Sequence, residues 1–143
     1  MTEPTYDTFI TDLCQHLATH KIGQWNPTGV YKTASPPPIY LGIIPDEAQE
    51  AIAVNIYNDD RGRDDTSPDV LVQFRCKGNR HPLSAARIAD QIFQLLHRES
   101  HYTLNNTTRV LSSHRHLRTG AERDTNMNWH QPDSYTFTLN PNP

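Results

Sequence analysis

Nowhere do the 143 residues hold an apolar run approaching twenty, so no segment reads as a membrane-spanning helix. A basic stripe is missing as well. Thirteen Lys and Arg against sixteen Asp and Glu leave a net charge of −3, which gives no general reason to expect nucleic-acid binding. Only two cysteines occur, Cys14 and Cys76, each on the apolar face of a predicted element. Buried free thiols are therefore expected, although sequence distance alone leaves a bridge open. The six glycines are scattered at turns, and none builds a phosphate-cradling loop after a strand. There is no G-x-S-x-G elbow and no H-E-x-x-H helix. The first residues, MTEPTYDTF, lack a charged-then-apolar signal pattern, so an intracellular product is expected. With 35% hydrophobic residues and eleven prolines, much of the chain should be loop around one core, in one domain over residues 1–143.

What is present is organised around Asp69–Arg98. Val70, Val72, Phe74 and Cys76 alternate with Gln73, Arg75 and Lys77, the period of a half-buried strand. After the turn Asn79–Pro82 the period changes. Ala85, Ile88, Ala89, Ile92, Phe93, Leu95 and Leu96 form a wide stripe suited to a helix pressed on a sheet, with Ser84 as its N-cap. An earlier helix spans Thr5 to His20, where Phe9, Ile10, Leu13, Cys14, Leu17 and Ala18 share a face. Gly23 is expected to supply its left-handed stop.

Between the helices, a short strand is expected around Val30–Lys32, a stiff connector at Ser35–Pro38, another short strand at Ile39–Ile43, and a core strand at Ala51–Tyr57. Asn58–Asp69 then carries five aspartates, two arginines and no apolar residue. It reads as a long acidic hairpin loop, either a solvated tip or a functional one. Both its flanks are strands and no Glu closes it, so it is not a calcium-binding helix–loop–helix. From His97 to Arg123 the chain is basic, with five arginines against Glu99 and Glu122. A strand is expected at Thr107–Ser113, an irregular crossing at Leu117–Asn128, a terminal strand at Tyr135–Leu139 and a loose tail at 140–143.

Eight histidines invite a metal, yet His16 and His20 at i, i+4 lack a third ligand, and an exposed helix face explains them better. His114 and His116 share one side of a strand, but the arginines around them oppose a cation. Both cysteines read as inert core, and the paired carboxylates sit on a loop without the fixed geometry that acid–base work requires. No catalytic, metal-binding or cofactor-binding residue is assigned.

The order of the pieces resembles a family of small siphophage virion proteins, called minor capsid or tail-terminator proteins. The likeness rests on the first helix ending near Gly23, on Gly29-Val30-Tyr31-Lys32, and on Pro37-Pro38-Ile39-Tyr40-Leu41-Gly42 with Ile44-Pro45-Asp46. It continues through Ala51–Tyr57, the strand Val70–Arg75 with Gly78 and the Ala- and Ile-rich helix, then Arg123-Asp124, Trp129 and Ser134–Phe137. The resemblance implies an α+β fold: a small, mostly antiparallel sheet of about four strands, with two helices packed on one face. It implies a hexameric ring that caps the tail tube and then presents the tail to the head connector. It implies no enzymatic activity and no cofactor. The partners would be other copies of the chain, the tail tube protein and the head connector (stopper) protein, with DNA only as cargo in the lumen and no membrane. The product would be made in the host cytoplasm and built into the virion neck.

The charge split suggests how copies meet. Asp59, Asp60, Asp64 and Asp65, with Arg61 and Arg63 among them, would either line the lumen or face Arg115 and Arg118 of a neighbour or stacked partner, with Arg123 a further contact residue. Two other readings stay open: another neck or head-completion connector, and a small cytosolic enzyme or metal-binding protein.

Overall fold

The computed structural model describes residues 5–60 and 67–140. Helix α1, Tyr6–Thr19, begins where expected: the Thr5 hydroxyl accepts the Thr8 amide at 3.2 Å, and Asp7 sits in the first turn against the positive helix end. Its stop differs from expectation. Lys21, not Gly23, takes the left-handed conformation (φ 62°). The Lys21 amide then donates to Ala18 O and the Ile22 amide to Leu17 O, both at 3.0 Å, which satisfies the last free carbonyls. Gly23 is small for another reason: a Cβ there would lie 2.9 Å from the Ile39 side chain and 3.0 Å from Pro37 O.

The strands are β1 (Ile39–Leu41), β2 (Ala51–Asp60), β3 (Asp69–Lys77), β4 (Glu99–Leu104), β5 (Thr108–Arg118), β6 (Glu122–Arg123) and β7 (Trp129–Leu139). Helix α2, Ser84–Leu96, lies between β3 and β4 in the chain. The expected class, α+β, is right, but the sheet is larger than the four strands expected. Among the described residues it has seven strands, in the order β1-β2-β3-β7-β5-β4, with β6 beside β7. Only β1 and β2 run parallel; the other pairs are antiparallel.

Three local expectations are corrected. Val30–Lys32 is loop, because Asn26 holds a tight turn by accepting the Thr28 amide at 3.0 Å, and Gly29 has φ 75°. Ser84 does not cap α2. It is the first helical residue, and its hydroxyl closes the preceding turn by accepting the Asn79 amide (2.8 Å) and donating to His81 O (2.7 Å). The crossing expected at 117–128 is partly regular, since β5 runs on to Arg118 and β6 pairs with β7.

One face of the sheet carries the core. Ile52 and Val54, then Val70, Val72, Phe74 and Cys76, then Tyr135, Phe137 and Leu139 pack against Phe9, Leu13 and Leu17 of α1 and Ile88, Ile92 and Leu96 of α2. Phe9 meets Phe137 edge-on at 5.4 Å, and Phe74 meets Tyr135 likewise at 5.3 Å, the arrangement that aromatic quadrupoles favour. Cys14 and Cys76 are free and buried, and burial pushes both thiols up, Cys14 to about 12. They are inert packing groups.

Candidate functional site

The main cluster of charge lies where β5, β7 and α2 meet. Asp133, on β7, shares the inward parity of Tyr135 and Phe137 and is 1% exposed. A buried carboxylate demands partners. Arg118 supplies them in a two-pronged fork, Nε to Oδ1 and Nη2 to Oδ2, each at 2.8 Å. Nη2 also reaches Asp90 of α2 at 3.0 Å. The Asp133 hydrogen bond comes first among the causes that raise the Arg118 guanidinium further above its ordinary range, so it is always charged. Arg115 adds a longer contact to Asp133 (3.5 Å), and its guanidinium lies 4.1 Å from the centre of the Phe93 ring.

The structure thus brings Arg115 and Arg118 together, but on their own chain's Asp133, a residue that sequence reasoning passed over. Its signal was present: an aspartate in phase with Tyr135, Phe137 and Leu139 on the apolar face of a strand. Arg123 stands apart on β6, 5.6 Å above the Trp129 ring. Asp59 and Asp60 end β2, and Asp59 sits beside Thr5 and Tyr6 at the positive end of α1. Arg61, Arg63, Asp64 and Asp65 lie outside the described residues, as does the tail from 141.

Two imidazole clusters lie apart from this charge. On the face away from the helices, His116 is held between the Tyr57 hydroxyl at Nε2 and the Thr136 hydroxyl at Nδ1, both at 2.9 Å, with the His114 ring 6.5 Å away. On the helix side, His16 stacks on Tyr102 at 5.8 Å and meets His20 edge-on at 4.7 Å. The Tyr102 hydroxyl bonds Ser113 Oγ at 2.6 Å, and Ser113 donates to Leu96 O at 2.7 Å, so the stack is tied to the end of α2. Among the described residues, no group of three or more His, Cys, Asp or Glu side chains is placed to hold a metal.

The His16 cluster gives a pH dependence. Burial, aided by His20, lowers the imidazole from its usual 6.5 to about 4. The unfolded chain therefore binds a proton first, so stability falls as pH drops from about 6.5 to about 4 and then levels off. The full shift would correspond to about 3 kcal/mol, and solvent screening at this half-exposed ring reduces that to about 1–2 kcal/mol. Urea titrations at pH 7 and pH 4.5 should show this loss in the native chain and a smaller one in His16→Gln. An equal pH slope in both would refute the assignment.

These features define a small α+β protein whose titratable side chains meet as packing and charge-pairing groups. The chain belongs to the bacteriophage tail terminator protein family, whose model matches residues 16–139, from the end of α1 through the last residue of β7. No curated protein matches the chain. The family is structural rather than enzymatic, so the chain has a structural role in the phage tail, as the sequence resemblance implied. No helix among the described residues is long and apolar enough to cross a membrane.

Proposed function

We propose that copies of this chain close into a ring, six in number, which caps the tail tube and joins it to the head connector. The observation that carries this reading is the family match over residues 16–139, which spans every strand of the sheet and all of α2. The mechanism is one of shape. Two helices and the inward strand faces build each protomer, while outward surfaces and loops make the contacts. A head-to-tail contact closes into a ring when its rotation permits.

The acidic segment has two possible places in such a ring. Arg115 and Arg118 are the cations it would meet on a neighbour, and both are engaged inside their own chain by Asp133, Asp90 and Phe93. That internal pairing supports the lumen, where Asp59, Asp60, Asp64 and Asp65 would repel phosphates and let DNA pass without sticking. Replacing all four with asparagine should leave the native mass at low salt unchanged and raise DNA retention by the assembled ring. Loss of assembly in the quadruple variant would instead place these aspartates between subunits.

A further inference from the structure

At the β1 edge the chain makes a turn whose composition suits neither a core nor a solvated loop. Gly42 (φ 82°) ends β1 and donates to Val54 O, and Ile43 follows at the tip with 82% of its surface in water. Asp46 and Glu47 come next, both exposed. Beneath them lies Lys77, which was expected to face outward from β3 and is instead 3% exposed. Its ammonium donates to Ala48 O at 2.8 Å and reaches Asp46 O at 3.5 Å. A buried lysine held on backbone carbonyls fixes the turn, and the Ala48 amide closes it on Pro45 O at 3.0 Å. The result is a pre-organised projection with an apolar tip and an acidic flank, and a rigid projection loses little entropy on docking.

Elsewhere, between α2 and the segment that follows α1, lies a shallow open groove of about 460 Å³. The partly exposed Leu95 gives it apolar surface over the buried Ile22, and His20 and Arg87 line it. Its carboxylate, Asp90, is already taken by Arg118, whereas Arg87 is exposed and has no carboxylate partner among the described residues. The groove therefore offers what the turn needs: apolar surface for Ile43, and an unsatisfied cation for Asp46 and Glu47.

We infer that the Gly42–Glu50 turn of one copy seats in the Arg87–Leu95 groove of the next, with Ile43 on Leu95 and the acidic flank against Arg87. This rests on the ring reading and names the contact that would close it. Knob and groove are different patches of one surface, which is the heterologous kind of contact that a ring requires. Complementary charge would set register more than affinity.

The test uses the full chain with Arg87→Glu and Glu47→Lys. Both positions are exposed, so each variant should keep its circular dichroism and melting curve. Each alone should weaken self-association by about tenfold, read by sedimentation equilibrium. The double variant, and an equal mixture of the two single variants, should recover the native mass, because every interface again pairs opposite charges. Ile43→Ser should weaken association without rescue by either charge change. Native assembly in both single variants overturns the docking while leaving the ring intact. A native chain that forms no ring, free or on tail tubes, overturns both.

Discussion

Gly78→Ala will destabilise the protein by about 3 kcal/mol, and soluble yield at growth temperature should fall with it. Gly78 joins β3 to the turn before α2, and a Cβ there would lie 2.1 Å from Ser84 Oγ and 2.5 Å from the Ala85 amide nitrogen. The first atom is a hydroxyl already fixed between Asn79 N and His81 O, and the second is helix backbone. Neither can yield unless α2 lifts from the sheet that Ile88, Ile92 and Leu96 cover. A total stability of 5–15 kcal/mol is typical, so this one methyl removes a large share of it. Gly120→Ala is the control: nothing lies within 4 Å of its added Cβ, and its midpoint should move by less than about 0.5 kcal/mol. Equal urea midpoints for the two variants would show that α2 is not packed as described.

The second large effect belongs to Asp133. Asp133→Ala leaves Arg115 without its anion and Arg118 with the exposed Asp90 alone. Removing one member of a buried pair costs about 3–5 kcal/mol, and the 29% exposure of the Arg118 side chain sets the expectation near the lower bound, about 3 kcal/mol. The double variant Asp133→Leu with Arg118→Leu should recover part of that loss, because an apolar pair of similar volume escapes the desolvation penalty. Urea melts of Asp133→Leu, Arg118→Leu and the double variant give the coupling directly. Additive losses would mean that the fork between them contributes nothing.

Both predictions bear on how much could be read before the structure. The unit from β3 to α2 was legible because each half keeps a clean period, two for Val70 to Cys76 and nearly four for Ala85 to Leu96. The rest of the sheet was not. β4 reads Glu-Ser-His-Tyr-Thr-Leu, with a left-handed His101 (φ 54°) inside it and a left-handed Arg98 (φ 61°) before it, so no apolar alternation marks it as a strand. β5 breaks its own period with register shifts between Val110 and Ser112 and between Arg115 and Leu117, which hid its second half. The charge cluster was half legible. The arginines stood out as a basic run, but their partner, Asp133, lies 15 residues beyond Arg118 on a strand whose return path only the topology reveals. The arginine run alone does not show that Arg115 and Arg118 find a carboxylate within their own chain. Lys77 misled in the same way: its parity was read correctly, but the turn that buries it comes from residues 46–48, far away in sequence.

We propose that this chain acts at the end of a tail tube. Tagged full-length protein added to purified tubes of its phage and imaged by negative-stain electron microscopy tests it most directly. The account predicts ring-shaped density at one tube end, the end that receives the head, with bare tube walls. Folded protein that coats the walls, or that leaves both ends empty, would contradict it.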